Sequence, residues 1–137
     1  FEPDIPQNTG SFIRLCACMA TPLHIIEPCG FPLDDKRLKR ASMDYYDLAE
    51  IRRHRSWQAF LEFRGSQPNA NLLLLSAHAR QPYTSYQFHP EDMLLFGRES
   101  AGVPDFVRQE ADISLNIPMR AGTRSLNVAM AASMVLG

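Results

Sequence analysis

The chain is poor in the residues that announce a simple function. It has three cysteines, one tryptophan and seven glycines in 137 residues. An odd cysteine count, with Cys16 and Cys18 separated by one residue and Cys29 apart, excludes a fully paired disulfide framework and is not a usual zinc spacing. The histidines His24, His54, His78 and His89 are scattered, so no metal is expected, and the cysteines read as buried and reduced in a cytoplasmic protein. No long apolar run is present, which excludes a transmembrane helix and a membrane partner. The opening Phe1-Glu2-Pro3-Asp4 lacks the basic start and apolar centre of a signal peptide. Charge of one sign is lacking too: 14 Lys+Arg against 15 Asp+Glu leave a net charge of −1. Any contact with a nucleic acid must then come from a local patch. There is no internal repeat, no low-complexity tract, no G-x-G-x-x-G and no P-loop.

What remains suits one globular domain over residues 1–137, with 45% hydrophobic and 21% charged residues. The chain lacks a starting methionine and stops at Gly137 inside a helical pattern, so both ends are expected to be incomplete. Helical patterns alternate with apolar runs. Residues 9–20 predict a helix capped by Asn8 or Thr9, 23–27 a buried strand, and 34–42 a basic helix with Asp34 and Asp35 at its start. Residues 45–51 read as strand then turn. Ser56 caps a helix over 56–64 with Trp57 in the core, and 71–77 and 93–97 are core strands. Pro104 starts a short helix to Glu110, 113–119 is a strand stopped by Pro118, and 125–136 is an apolar helix that is buried or packed on a partner. The longest irregular stretch is 78–90. This alternation predicts an α/β fold, a mostly parallel sheet flanked by helices.

Three segments spend polar residues that a core does not need. Pro6-Gln7-Asn8-Thr9-Gly10 opens a helix that carries Arg14. Gly97-Arg98-Glu99-Ser100-Ala101-Gly102 follows a core strand. Arg120-Ala121-Gly122-Thr123-Arg124-Ser125-Leu126-Asn127 joins a strand to the last helix, with Ser125 available as its cap. Each alone reads as an ordinary turn or cap. Together they lie at strand–helix junctions, which a parallel sheet gathers on one edge, and they suit a small-molecule site.

The order P-Q-N-T-G…R, L-F-G-x-E-x-x-G-x-P, I-P-M…R-S-L-N resembles the three motifs of the SPOUT RNA 2′-O-methyltransferases. The phrases EPDIPQNTGSFIRLCA, LHIIEPCGFPLDDKRLKRASMDY and MLLFGRES are most similar to the group that methylates the tRNA wobble ribose. The resemblance implies a C-terminal deep trefoil knot, a homodimer with a shared active site, and S-adenosylmethionine as cofactor, leaving S-adenosylhomocysteine. It implies Leu75, Gly97, Ile117 and Ser125 at the cofactor, and Asn8, Arg14, Glu99, Ser125 and Asn127 as catalytic positions. The chain departs from the pattern at Arg98-Glu99-Ser100, where Pro-Glu-Thr is usual, and at Ser11, Ala101 and Ala121.

The implied substrate is tRNA rather than DNA, since the 2′-hydroxyl distinguishes the two nucleic acids. A guanidinium keeps its proton in proteins, so Arg14 is read as a bidentate clamp on phosphate and developing alkoxide rather than a base. Lys36, Arg37, Lys39 and Arg40 crowd one helix and form the expected RNA patch. Tyr45 and Tyr46, or Tyr83 and Tyr86, are candidates for stacking on an unpaired base, with core or surface packing the expected role of most of them. The competing readings are methylation of another RNA such as ribosomal RNA, a nucleotide-binding module without methyl transfer, and a non-catalytic RNA-binding dimer.

Overall fold

A computed structural model describes residues 1–137. Helix α1 (Pro6–Cys18) starts on a proline, whose fixed φ and missing N–H suit a first helical position. It therefore begins earlier than the expected Thr9, and Asn8 is not its cap but lies within its first turn, with its side chain left for other partners. Strand β1 (Leu23–Ile26) leads to α2 (Asp35–Ser42), where Asp34 caps by accepting from the Arg37 amide at 2.8 Å.

A 3-10 helix (Met43–Leu48) and then β2 (Ile51–His54) replace the expected strand and turn. The sequence Ile-Arg-Arg-His hides this strand because it lies at a sheet edge, where charge blocks further pairing and no apolar face is required. Helix α3 (Trp57–Gly65) is capped by Ser56, which accepts from the Ala59 amide at 3.1 Å. Strand β3 (Leu72–Leu75), short β4 (Gln81–Pro82), β5 (Met93–Phe96), α4 (Asp105–Glu110), β6 (Ile113–Asn116) and α5 (Val128–Leu136) complete the fold. Strand β4 lies inside the stretch read as irregular; with only two residues it carries no periodicity to detect. No helix is long and apolar enough to cross a membrane.

All strand pairs are parallel, in the orders β1-β2 and β4-β6-β3-β5. Residues 1 and 2 bridge the two sheets: the Phe1 nitrogen donates to Phe96 O at 2.7 Å and the Glu2 amide to Ile26 O at 2.8 Å. An apolar cavity of about 430 Å³ lies beside this bridge, lined by Phe12, Leu15, Ile25, Phe60, Met93 and Leu95 among others. On one face of the sheet, Leu72 and Leu74 pack with Trp57, Phe60 and Val107. Leu73, which strand alternation turns to the other face, is also fully buried, so both faces are covered. Full burial of such a leucine contributes roughly 1.5–3 kcal/mol.

The thiols depart from expectation: Cys16 is buried, but Cys29 is only half-buried and Cys18 is exposed. Burial pushes the Cys16 thiol up to about 11.

Strands β1 and β2 also pack two histidines together. His24 Nδ1 lies 2.8 Å from His54 Nε2, against Phe60 and Phe63. Burial, with the charges of His54 and Arg52, pushes His24 down to about 4, and burial lowers His54 as well. The unfolded chain therefore takes up these protons first as pH falls, and the folded state loses stability from about pH 6.5 towards pH 4. We predict that thermal melts will show a lower Tm at pH 4.5 than at pH 7, and that His24→Phe will reduce this pH dependence. Parallel curves for the two proteins would exclude the pair as its source.

Candidate active site

The order β6-β3-β5 places three strand ends side by side. Leu75 ends β3 and pairs with both Phe96 and Leu115, so Gly97 and Ile117 follow on either side of it at the C-terminal edge. This is the edge at which open parallel sheets hold ligands. The loop after β5 closes on itself: Arg98 and Gly102 exchange amide hydrogen bonds of 2.9 and 2.8 Å. That closure requires glycine twice. A Cβ at Gly97 would stand 2.7 Å from the Gly102 Cα, and Gly102 has φ +65°. Near the end of β6, Asn116 donates to Ala79 O at 2.7 Å while its Oδ1 is buried without a partner. A buried acceptor beside Ile117 is suited to a ligand amine.

A chain of hydrogen bonds ties the three polar segments together. The Glu99 carboxylate accepts from the Asp4 amide at 2.9 Å and from Asn8 Nδ2 at 3.3 Å. Asn8 Oδ1 accepts from Asn127 Nδ2 at 2.9 Å. Asn127 Oδ1 in turn accepts from the Ala129 and Met130 amides at 2.9 and 3.2 Å, capping α5. The helix cap is therefore Asn127, not Ser125, and the last helix starts at Val128. Asn127 serves better because one amide side chain can accept at the helix start and donate across to α1. Ser125 lies exposed in the irregular stretch before it, with no side-chain hydrogen bond.

The sequence did not single out Asp4, Arg98 and Ser100 as a group, yet they brace this chain. Ser100 Oγ donates to Asp4, and Arg98 pairs with Glu2 at 3.5 Å and Asp4 at 3.9 Å. Hydrogen bonding to Glu99 and Ser100, then the Arg98 charge, holds the Asp4 carboxyl below the usual carboxylate range. An acid two residues ahead of the Pro6 turn was the available signal.

Arg14 stands apart from these residues. It is exposed and makes no ion pair or side-chain hydrogen bond; its guanidinium carbon lies 5.0 Å over the Tyr45 ring. The same side of α1 carries α2. A Cβ at Gly10 would come within 2.6 Å of the Ala41 carbonyl carbon, so only glycine lets the basic helix approach so closely. Lys36, Arg37, Lys39 and Arg40 are all exposed there. Arg37 pairs with Asp34 at 3.5 Å and Lys39 with Asp47 at 3.6 Å, while Lys36 and Arg40 have no acidic partner. Tyr45 and Tyr46 offer ring faces to Arg14 and Lys39 rather than to open solvent.

The sequence model of the SpoU rRNA Methylase family matches residues 1–137. The chain is 52% identical to a tRNA (cytidine(34)-2'-O)-methyltransferase of Beijerinckia indica, over all of this chain and 85% of that one. It is 40% identical to the protein of the same description from Escherichia coli, over 99% and 86% of the two chains. Among solved structures, one concerned with the 2-OH methylation of C/U34 on tRNA superposes with TM-score 0.89 at 40% identity, covering 98% of this chain and 86% of that one. The SpoU methyltransferase AviRb from Streptomyces viridochromogenes, in complex with the cofactor AdoMet, gives 0.88 at 25% identity over 98% and 55%. With its parallel sheet and a match that runs from first residue to last, the chain belongs to the SpoU rRNA Methylase family.

Proposed function

We propose that the chain is a tRNA methyltransferase that moves a methyl group from S-adenosylmethionine to the ribose 2′-hydroxyl of the wobble nucleotide. The observation that carries this reading is the joining of Asn8, Glu99 and Asn127, residues of all three polar segments, beside the strand ends at Leu75, Gly97 and Ile117. The relatives named for cytidine 34 support the substrate. On this reading the whole chain is one methyltransferase domain acting in the cytoplasm.

The residues present fit the cofactor. Glycine at 97 and 102 lets the loop after β5 close tightly beside the strand ends, and the orphaned Asn116 Oδ1 supplies a buried acceptor. Leu75, Gly97, Ile117 and Ser125 would hold it, largely through backbone groups. When bound, it supplies a methyl on a sulfonium, an electrophile that requires no metal. The protein's part is to align the ribose oxygen with that methyl and to stabilise charge on the oxygen as the hydroxyl proton passes to solvent water. Arg14 takes the second role, clamping the adjacent phosphate and the developing oxyanion. Glu99 and Asn127 hold the loop after β5, α1 and α5 in mutual register.

Two further features belong to this proposal. Leu126, Met130 and Met134 are 37%, 62% and 48% exposed, and the methionines lie one turn apart on α5, which supports a homodimer seated on that face. The separation of Arg14 from Asn8, Glu99 and Asn127 supports a site completed by the second subunit. The C-terminal knot is the second feature; family membership supports it.

Thermal shift tests the cofactor directly: S-adenosylhomocysteine should raise Tm, whereas NAD and ATP should not. Radiolabelled methyl transfer to bulk tRNA, with little to ribosomal RNA, is the expected substrate result. The reverse preference would move the assignment to ribosomal RNA.

A further inference from the structure

Resting on the reading of Arg14 as the clamp, we infer that Tyr45 is its positioning residue. Arg14 has nothing else to fix it: no carboxylate, carbonyl or hydroxyl of the chain bonds its guanidinium, and its side chain is exposed. A free arginine samples many rotamers, and ordering it on substrate costs entropy. The Tyr45 ring, half-buried on the 3-10 helix that follows α2, lies 5.0 Å from the guanidinium carbon.

Stacking on an aromatic occupies the face of the guanidinium and leaves its edge, which carries the N–H donors, free. An acidic partner would hold Arg14 as firmly but would take up those donors. A tyrosine therefore suits an arginine that must be fixed and still available to phosphate. The neighbouring ring also carries a cation, one that pairs with Asp47 at 3.6 Å as well. Lys39 Nζ lies 5.4 Å over Tyr46, whose hydroxyl donates to Asp35 at 2.8 Å. The Tyr45-Tyr46 shelf thus sets one cation of α1 and one of α2 on a common surface. Both rings engage the protein's own cations.

The test compares Tyr45→Phe, which keeps the ring, with Tyr45→Leu, which removes it. The readout independent of turnover is the Arg14 Nε–Hε resonance in nitrogen-15 NMR. We expect a ring-shifted signal in wild type and Tyr45→Phe, lost in Tyr45→Leu. In methyl transfer to tRNA, Tyr45→Phe should stay within about twofold of wild type, and Tyr45→Leu should lower kcat/KM about tenfold. Affinity for S-adenosylhomocysteine should not change. In an Arg14→Ala background, Tyr45→Leu should have less than about a twofold further effect, because the two residues act as a unit. An Arg14 resonance indifferent to Tyr45→Leu, or a full additional loss in the Arg14→Ala background, overturns the inference. Absence of methyl transfer by the wild-type protein would count against the proposed function, while the NMR comparison would still decide the role of Tyr45.

Discussion

Arg14→Ala is expected to lower kcat for methyl transfer to tRNA by about a hundred- to a thousandfold, the usual cost of removing a donor that stabilises a developing oxyanion. The loss should appear without unfolding. Arg14 is exposed and supports the fold only through the Tyr45 ring, and exposed substitutions usually change stability by no more than about 0.5 kcal/mol. Arg14→Lys should fall between, because an ammonium restores charge but not the planar fork that grips two oxygens at once. Parallel measurements of kcat, Tm and cofactor affinity check this, and a lysine variant at the wild-type rate would exclude the clamp.

The second large effect is expected at Asn127, which has two separable duties. Asn127→Ala removes the α5 cap, worth about 1 kcal/mol, and leaves Asn8 Oδ1 without its donor, worth roughly 1–3 kcal/mol more. Tm should fall by several degrees, and turnover should fall as the Glu99–Asn8 contact loosens. Asn127→Asp keeps an acceptor for the Ala129 and Met130 amides but sets a carboxylate against Asn8 Oδ1. It should retain the helix and still lose activity. Thermal melts and rate measurements on both variants separate the duties; wild-type stability and wild-type turnover in Asn127→Asp would show that Asn127 is only a cap.

Much of the frame was legible because single residues settle single features. Asp34 and Ser56 mark helix starts with side chains that have few better uses, and the leucine run 72–75 buries its side chains and satisfies its backbone inside a parallel sheet. Features set by partners distant in sequence were not legible. Strand β2 exists because β1 offers an edge, and Gln81–Pro82 is a strand only because β6 lies beside it. The same limit governed the site. Glu99, Asn8 and Asn127 were each visible as polar residues at junctions, but Ser125 looked the better cap until the reach of Asn127 to α1 gave that amide two duties. Tyr45 could be read as packing or as a platform for a base, because nothing in the sequence tells that Arg14 covers it.

The central claim is that the sulfonium methyl is delivered to a ribose oxygen rather than to a base or to another RNA. Mass spectrometry of nucleosides from tRNA incubated with the protein and S-adenosylmethionine tests it most directly. The account predicts one new 2′-O-methylated pyrimidine, mapping to the wobble position and absent with the Arg14→Ala protein. A methyl found on a nucleobase, or unmodified tRNA beside methylated ribosomal RNA, would contradict it.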